Sequence, residues 1–270
     1  MMPTWLSQDL TTLAFVWRLE RNDGVTLGFT NHDRDLVIDG LTYSASPGMV
    51  PSAIERSDAF DVDNVELVGA LTSDAFRAED LAAGRWDGAR LRLSAVDWTA
   101  PQSVSVPLVR GELGSVEISD GQFSVELRGP TAILEAPVVE ETSPECRATL
   151  GDRRCRIDMA GRVQIAVVAT VNDALVTLTT PVPSGVFVSG RLRWLDGGNA
   201  GLCVEIIANS GATITLEAPP HFTVAAGARV ELTQGCDRRF SSCVTRFANA
   251  ANFRGEPHLP GNDLLTRYVS

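Results

Sequence analysis

A chain of 270 residues, 44% hydrophobic and 21% charged, has the length for two globular domains and too apolar a mixture for long disorder. Its formal net charge is −11 and it contains no lysine, which argues against a general nucleic-acid-binding surface and excludes a lysine nucleophile or Schiff base. The opening Met1-Met2-Pro3-Thr4-Trp5-Leu6 has neither the basic region nor the apolar run of a signal peptide, and no stretch is long enough to span a bilayer. The expectation is a chain made in the cytoplasm, without membrane insertion.

From Thr11 the sequence alternates, with Leu13, Phe15, Trp17 and Leu19 on one face, and this period of two predicts a half-buried strand. Asp23-Gly24 turns it, and Val25 to Thr30 returns. Asp39-Gly40 turns Leu36-Val37-Ile38 into Leu41-Thr42-Tyr43, so an antiparallel meander is expected. Ser73 to Ala83 reads as the one clear helix, with Ser73 as N-cap, Phe76 and Leu81 facing the core and Gly84 as the stop. Strands resume at Arg90 to Trp98, Val104 to Ile118 and Gly121 to Leu127.

Three prolines and the acidic pair Glu140-Glu141 mark Pro130 to Pro144 as an extended connector. It divides the chain into an N-terminal β-rich domain, residues 1–138, and a C-terminal one, residues 139–270. Six short strands follow: Val163 to Thr170, Leu175 to Thr179, Arg191 to Leu195, Leu202 to Ile207, Thr213 to Leu216 and Arg229 to Leu232. Their spacing predicts a small antiparallel barrel or sandwich. The fold class is mainly β, with one helix near 73–83 and irregular cysteine-bearing loops.

Five cysteines in a reducing compartment point to metal binding before disulfides. Cys203, between Leu202 and Val204, reads as a small buried hydrophobe in a strand. The other four lie in polar loops, Cys146 and Cys155 with eight residues between them in one, Cys236 and Cys243 with six between them in the other. Zinc and an iron–sulfur cluster both accept four thiolates. Zinc knuckles use tighter spacings, which favours iron–sulfur weakly. Arg147, Arg153, Arg154, Arg156, Arg238 and Arg239 flank these cysteines and either favour the thiolate form or pair with the many carboxylates.

Other chemistry is thin. His32, His221 and His258 are scattered, and there is no Gly-x-Ser-x-Gly elbow, P-loop or dinucleotide fingerprint. The glycine-rich Asp196 to Gly201 opens no helix and reads as a β-turn rather than a phosphate cradle. Asn252 to Gly261, with two prolines and two glycines, reads as a strap packed across its own domain and anchored by Phe253.

At several of these stretches the chain resembles the baseplate hub, or tail hub, proteins of gene transfer agents and long-tailed phages. The matching runs are Gly151-Asp152-Arg153-Arg154-Cys155, Leu192-Arg193-Trp194 with Gly198-Asn199-Ala200-Gly201, Gly235-Cys236-Asp237 with Cys243, and Phe247-Ala248-Asn249 through Asn252-Phe253-Arg254-Gly255-Glu256-Pro257. Phe29-Thr30-Asn31-His32-Asp33 and Gly84-Arg85-Trp86-Asp87-Gly88-Ala89 agree more diffusely. More distantly the layout is similar to the tail-tip protein L of phage lambda, whose four-cysteine domain carries a [4Fe–4S] cluster.

The resemblance implies a [4Fe–4S] cluster on Cys146, Cys155, Cys236 and Cys243, with no place for Cys203. It also implies a non-enzymatic homotrimer in the virion tail that joins the distal tail ring to a trimeric tip or host-recognition protein, with DNA passing through the lumen unbound. A zinc-stabilised interaction module and an iron–sulfur redox enzyme are the competing readings.

Overall fold

The computed structural model describes residues 4–7, 11–45, 50–51, 64–70, 77–119, 122–129 and 139–259. The chain divides into two compact units, Met1–Val138 and Val139–Ser270. Both are mainly β, and no helix among the described residues is long and apolar enough to cross a membrane.

The first unit is one nine-stranded sheet made of β1 (Leu13–Glu20), β2 (Thr26–Thr30), β3 (Leu36–Ile38), β4 (Leu41–Ala45), β5 (Val50–Pro51), β6 (Asn64–Ala70), β7 (Arg90–Asp97), β8 (Val106–Ser119) and β9 (Gln122–Arg128). The spatial order is β3-β4-β2-β1-β7-β8-β9-β6-β5. Asp39 and Gly40 both take positive φ, 49° and 77°, the conformation that a two-residue hairpin turn demands. The meander is nevertheless broken, because β4 lies parallel to β2 and carries β3 to the edge. Turn residues say where a chain reverses, not which strand it returns to.

β1 is buried on both faces rather than one. Trp17 and Leu19 pack with Phe29, Leu91, Leu93 and Leu113, while Ala14 and Val16 join Leu36, Tyr43 and Val96 on the other side. Leu13 is exposed. The first cluster is covered by α1 (Ala78–Ala82), which contributes Leu81. This helix is shorter than expected: Arg77, extended at φ −83° and ψ 140°, is its N-cap. Ser73 and Phe76 lie outside the described residues, and Gly84 does end it, at φ 70°.

The second unit is a closed six-stranded barrel of β10 (Val163–Asn172), β11 (Leu175–Leu178), β12 (Gly190–Trp194), β13 (Cys203–Ser210), β14 (Thr213–Leu216) and β15 (Arg229–Thr233), in the order β10-β11-β14-β13-β12-β15. Alternation fills it: Val176, Leu192, Trp194, Ile206, Ile214, Val230 and Leu232 all point inward and are at most 1% exposed. Each aliphatic residue buried in this way stabilises the fold by roughly 1.5–3 kcal/mol relative to exposure. Register shifts at Val168/Thr170 and Ile206/Ala208 increase the local bend that closure requires.

Candidate metal centre

The barrel brings the two cysteine loops to one end. β10 and β15 are antiparallel partners with Val163 opposite Thr233, so the chain entering β10 and the chain leaving β15 are neighbours. Arg162 and Gln234 continue the pairing outside the strands, backbone to backbone at 2.9 Å and side chain to side chain at 2.7 Å. Beyond them Gly235 passes Gly190 with no room for a side chain, since a Cβ on either would lie 2.1 Å from backbone of the other segment. Only glycine permits that approach.

Cys146, Cys155, Cys236 and Cys243 line one small cavity together with Arg238, Arg239, Asn249 and apolar side chains. No carboxylate or imidazole among the described residues lines it. Among the described residues no group of three or more His, Cys, Asp or Glu is set to hold a single metal ion.

Each cysteine is held by its own local structure. The Cys146 amide donates to the Arg238 carbonyl at 2.8 Å, tying the first loop to the second. Cys155 sits in a turn organised by the Asp152 carboxylate, which accepts from the amides of Thr149, Arg154 and Cys155 at 2.8, 2.8 and 2.6 Å. These bonds, the Cys155 amide foremost, hold the Asp152 carboxyl below its ordinary range. Cys236 is half-buried where β15 ends. Cys243 is buried on α2 (Phe240–Thr245), a short helix where an irregular loop was expected.

Burial pushes the Cys236 and Cys243 thiols up, and the neighbouring sulfurs add to it: Cys146 and Cys155 act on both. A cationic centre bound among these sulfurs would relieve the cost of ionising the Cys236 and Cys243 thiols. The surrounding arginines divide. Arg238 and Arg239 line the cavity. Arg147 and Arg154 instead bond Glu140, and Arg147 also grips Glu256.

The segment after α2 folds back over the cysteines. Arg254 donates its amide to the Cys146 sulfur at 3.4 Å, and the Arg147 amide donates to the Arg254 carbonyl at 2.9 Å. The Glu256 amide donates to the Ser143 carbonyl at 2.8 Å. Phe253 packs edge-on against Phe240, ring centroids 5.0 Å apart, so it anchors the strap as its sequence context predicts. Residues from 260 onward lie outside the described ones.

Cys203 is on a strand and outside the cavity, but it is exposed, not buried. Alternation explains the difference: partly buried Leu202 and Val204 face the core, so the residue between them faces out. It lines a groove of about 510 Å³ between the barrel and the first cysteine loop, which adjoins the thiol cavity at Ala148, Leu150, Cys236 and Arg238. The Asp196 to Gly201 stretch is a turn, closed by Ala200 N–H to Gly197 O at 3.1 Å, and its buried Asn199 exchanges two bonds with the Phe222 backbone. His32 stacks near Trp98 and His258 near Phe240, away from any shared centre. Three residues that organise the site carry no role in the sequence reading: Asp152, Asn249 and Glu256. Asp152 had a legible signal, an Asp two and three residues before amides that need a partner.

The chain matches the family model for the baseplate hub protein N-terminal attachment domain over residues 1–158, and that for the phage conserved hypothetical protein BR0599 over residues 185–263. No curated protein matches it. Among solved structures it is similar to a chain of the virion of a native gene transfer agent particle, at 38% identity and a TM-score of 0.86, covering 98% of this chain and 94% of that one.

Proposed function

The chain belongs to the baseplate hub protein family, whose members are structural components and not enzymes, and on that premise we propose that it is a hub subunit in the tail of a phage-like particle, cross-linked internally by an iron–sulfur cluster. The observation that carries the cluster is one cavity walled by Cys146, Cys155, Cys236 and Cys243, with no carboxylate or imidazole among its described lining residues. A purely sulfur donor set suits iron–sulfur centres and zinc. The eight- and six-residue gaps within the two cysteine pairs, wider than zinc knuckles use, favour the iron–sulfur centre over zinc. When bound, the cluster supplies four metal–sulfur bonds joining loops some eighty residues apart, which is folding free energy for the second unit.

The family relationship further supports a homotrimer that joins the distal tail ring to a trimeric tip protein. Threefold closure requires one surface of each subunit to meet a different surface of the next. A net charge of −11 per copy, repeated around a ring, would repel DNA passing through its lumen.

The test is anaerobic purification with iron and sulfide analysis. About four of each per chain and broad visible absorption are expected. A colourless protein carrying zinc would replace the cluster with a zinc-stabilised module. Imaging of assembled tails should show three copies at the distal end, and any other number overturns the trimer.

A further inference from the structure

Asn249 occupies a position that the fold reaches only through strain. Just before it, Ala248 adopts φ 50°, a left-handed conformation that is strained for any residue but glycine. This bend swings Asn249 from the end of α2 back over the thiol cavity, where its amide N–H donates to the Cys243 carbonyl at 3.0 Å. The residue then meets both halves of the site. Its side-chain nitrogen donates to the Cys155 carbonyl at 2.7 Å and lies 3.8 Å from the Cys155 sulfur, while its own backbone carbonyl accepts from the Cys243 thiol at 3.3 Å.

The orientation of the amide is not left to chance. Asn252 donates to the Asn249 side-chain oxygen at 2.7 Å, which forces the NH₂ group toward Cys155. Aspartate, with nearly the same shape, has no N–H to offer there.

We infer that Asn249 is the positioning residue of the four-cysteine centre: it clips the loop of Cys155 to the helix of Cys243 and turns an N–H dipole toward the Cys155 sulfur. The inference rests on the four-cysteine reading above. N–H groups aimed at cluster sulfurs stabilise the more negative, reduced state and raise the reduction potential, and partners of this kind typically contribute 10- to 100-fold to metal affinity.

The test compares wild type, Asn249→Asp, Asn249→Ala and Asn252→Ala as full-length chains loaded anaerobically with ferrous iron and sulfide. Iron release to a chelator should be about 10- to 100-fold faster in both Asn249 variants. The potential should fall in Asn249→Asp, through the lost donor and the added negative charge. Asn252→Ala should move both readouts the same way and less. If the wild type loads and Asn249→Asp matches it in release rate and potential, the inference is overturned while the cluster stands. If the wild type binds zinc alone, the release rate still decides the role of Asn249. If the wild type binds no metal, the four-cysteine reading fails first and this inference with it. Should Asn249→Ala fold poorly, the near-isosteric Asn249→Asp decides.

Discussion

The Arg147 guanidinium holds the Glu256 carboxylate in a two-pronged grip, 2.7 and 2.9 Å, between positions 109 residues apart in the chain. Arg147 follows a cavity cysteine directly, and Glu256 lies within the strap that covers the same cavity. The pair is therefore a latch on the strap. Arg147→Ala or Glu256→Gln should expose residues 249–259 to proteolysis while the barrel stays resistant. The double variant should be little worse than either single one, because the two residues act as one unit. Additive losses would mean that the two residues work separately.

The latch also sets a pH dependence. The Arg147 guanidinium and the Ser143 amide hold the Glu256 carboxyl down from 4.5 to about 2. A carboxyl depressed in the folded state stabilises it fully above its unfolded pKa, and that contribution is lost as pH falls through the folded one. Strap protection, followed by hydrogen exchange at residues 252–256, should be flat from neutral pH down to about 5 and decline between about 4.5 and 2. Glu256→Gln should abolish this step. A step near neutral pH would point to another group.

Cysteine replacements should split four to one. Cys155→Ser and Cys243→Ser should lose the metal and destabilise the second unit by several kcal/mol, leaving the first unit intact in limited proteolysis. Cys203→Ser should retain full metal content, and in the folded protein Cys203 alone should react quickly with a thiol reagent, since it is exposed. Metal loss in Cys203→Ser, with retention after loss of one of the other four, would show that the ligand set is wrong.

The approach of Gly190 to Gly235 predicts a steric penalty far from any ligand atom. Gly235→Ala places a methyl group 2.1 Å from the Gly190 nitrogen and Ser189 carbonyl carbon, all backbone, so the segments must separate. Overpacking of this sort costs about 1–3 kcal/mol or more in chemical denaturation. It should also weaken metal retention by moving Cys236. Wild-type stability in Gly235→Ala would mean that the two segments can part freely.

The barrel was legible in the sequence because each strand alternates inward and outward residues, and alternation is a local property. Leu192 and Trp194 face in and Arg191 and Arg193 face out whatever surrounds them. The meeting of the cysteines was not legible from their spacing, which matches no compact metal motif. It depends on β10 and β15 being partners, with Val163 opposite Thr233, 70 positions further along the chain, a pairing that only tertiary structure decides. The same limit explains the parallel β2–β4 pair. Cys203 was misjudged because its apolar neighbours in sequence are not its neighbours on a face of the strand. Asn249 was invisible for a different reason: its role comes from the reversed backbone at Ala248, and nothing about an alanine announces a left-handed turn.

The two sheets also differ in what they offer another chain. In the barrel every strand is paired on both sides, so no row of backbone groups is left open. The sheet of the first unit ends, among the described residues, in a three-residue strand at Leu36–Ile38 and a two-residue strand at Val50–Pro51, whose proline has no N–H to give. Each terminal strand is itself short, and β5 pairs with only Leu67 and Val68 of β6. Short terminal strands of this kind, one of them carrying a proline, are a recognised way of discouraging edge-to-edge pairing between copies.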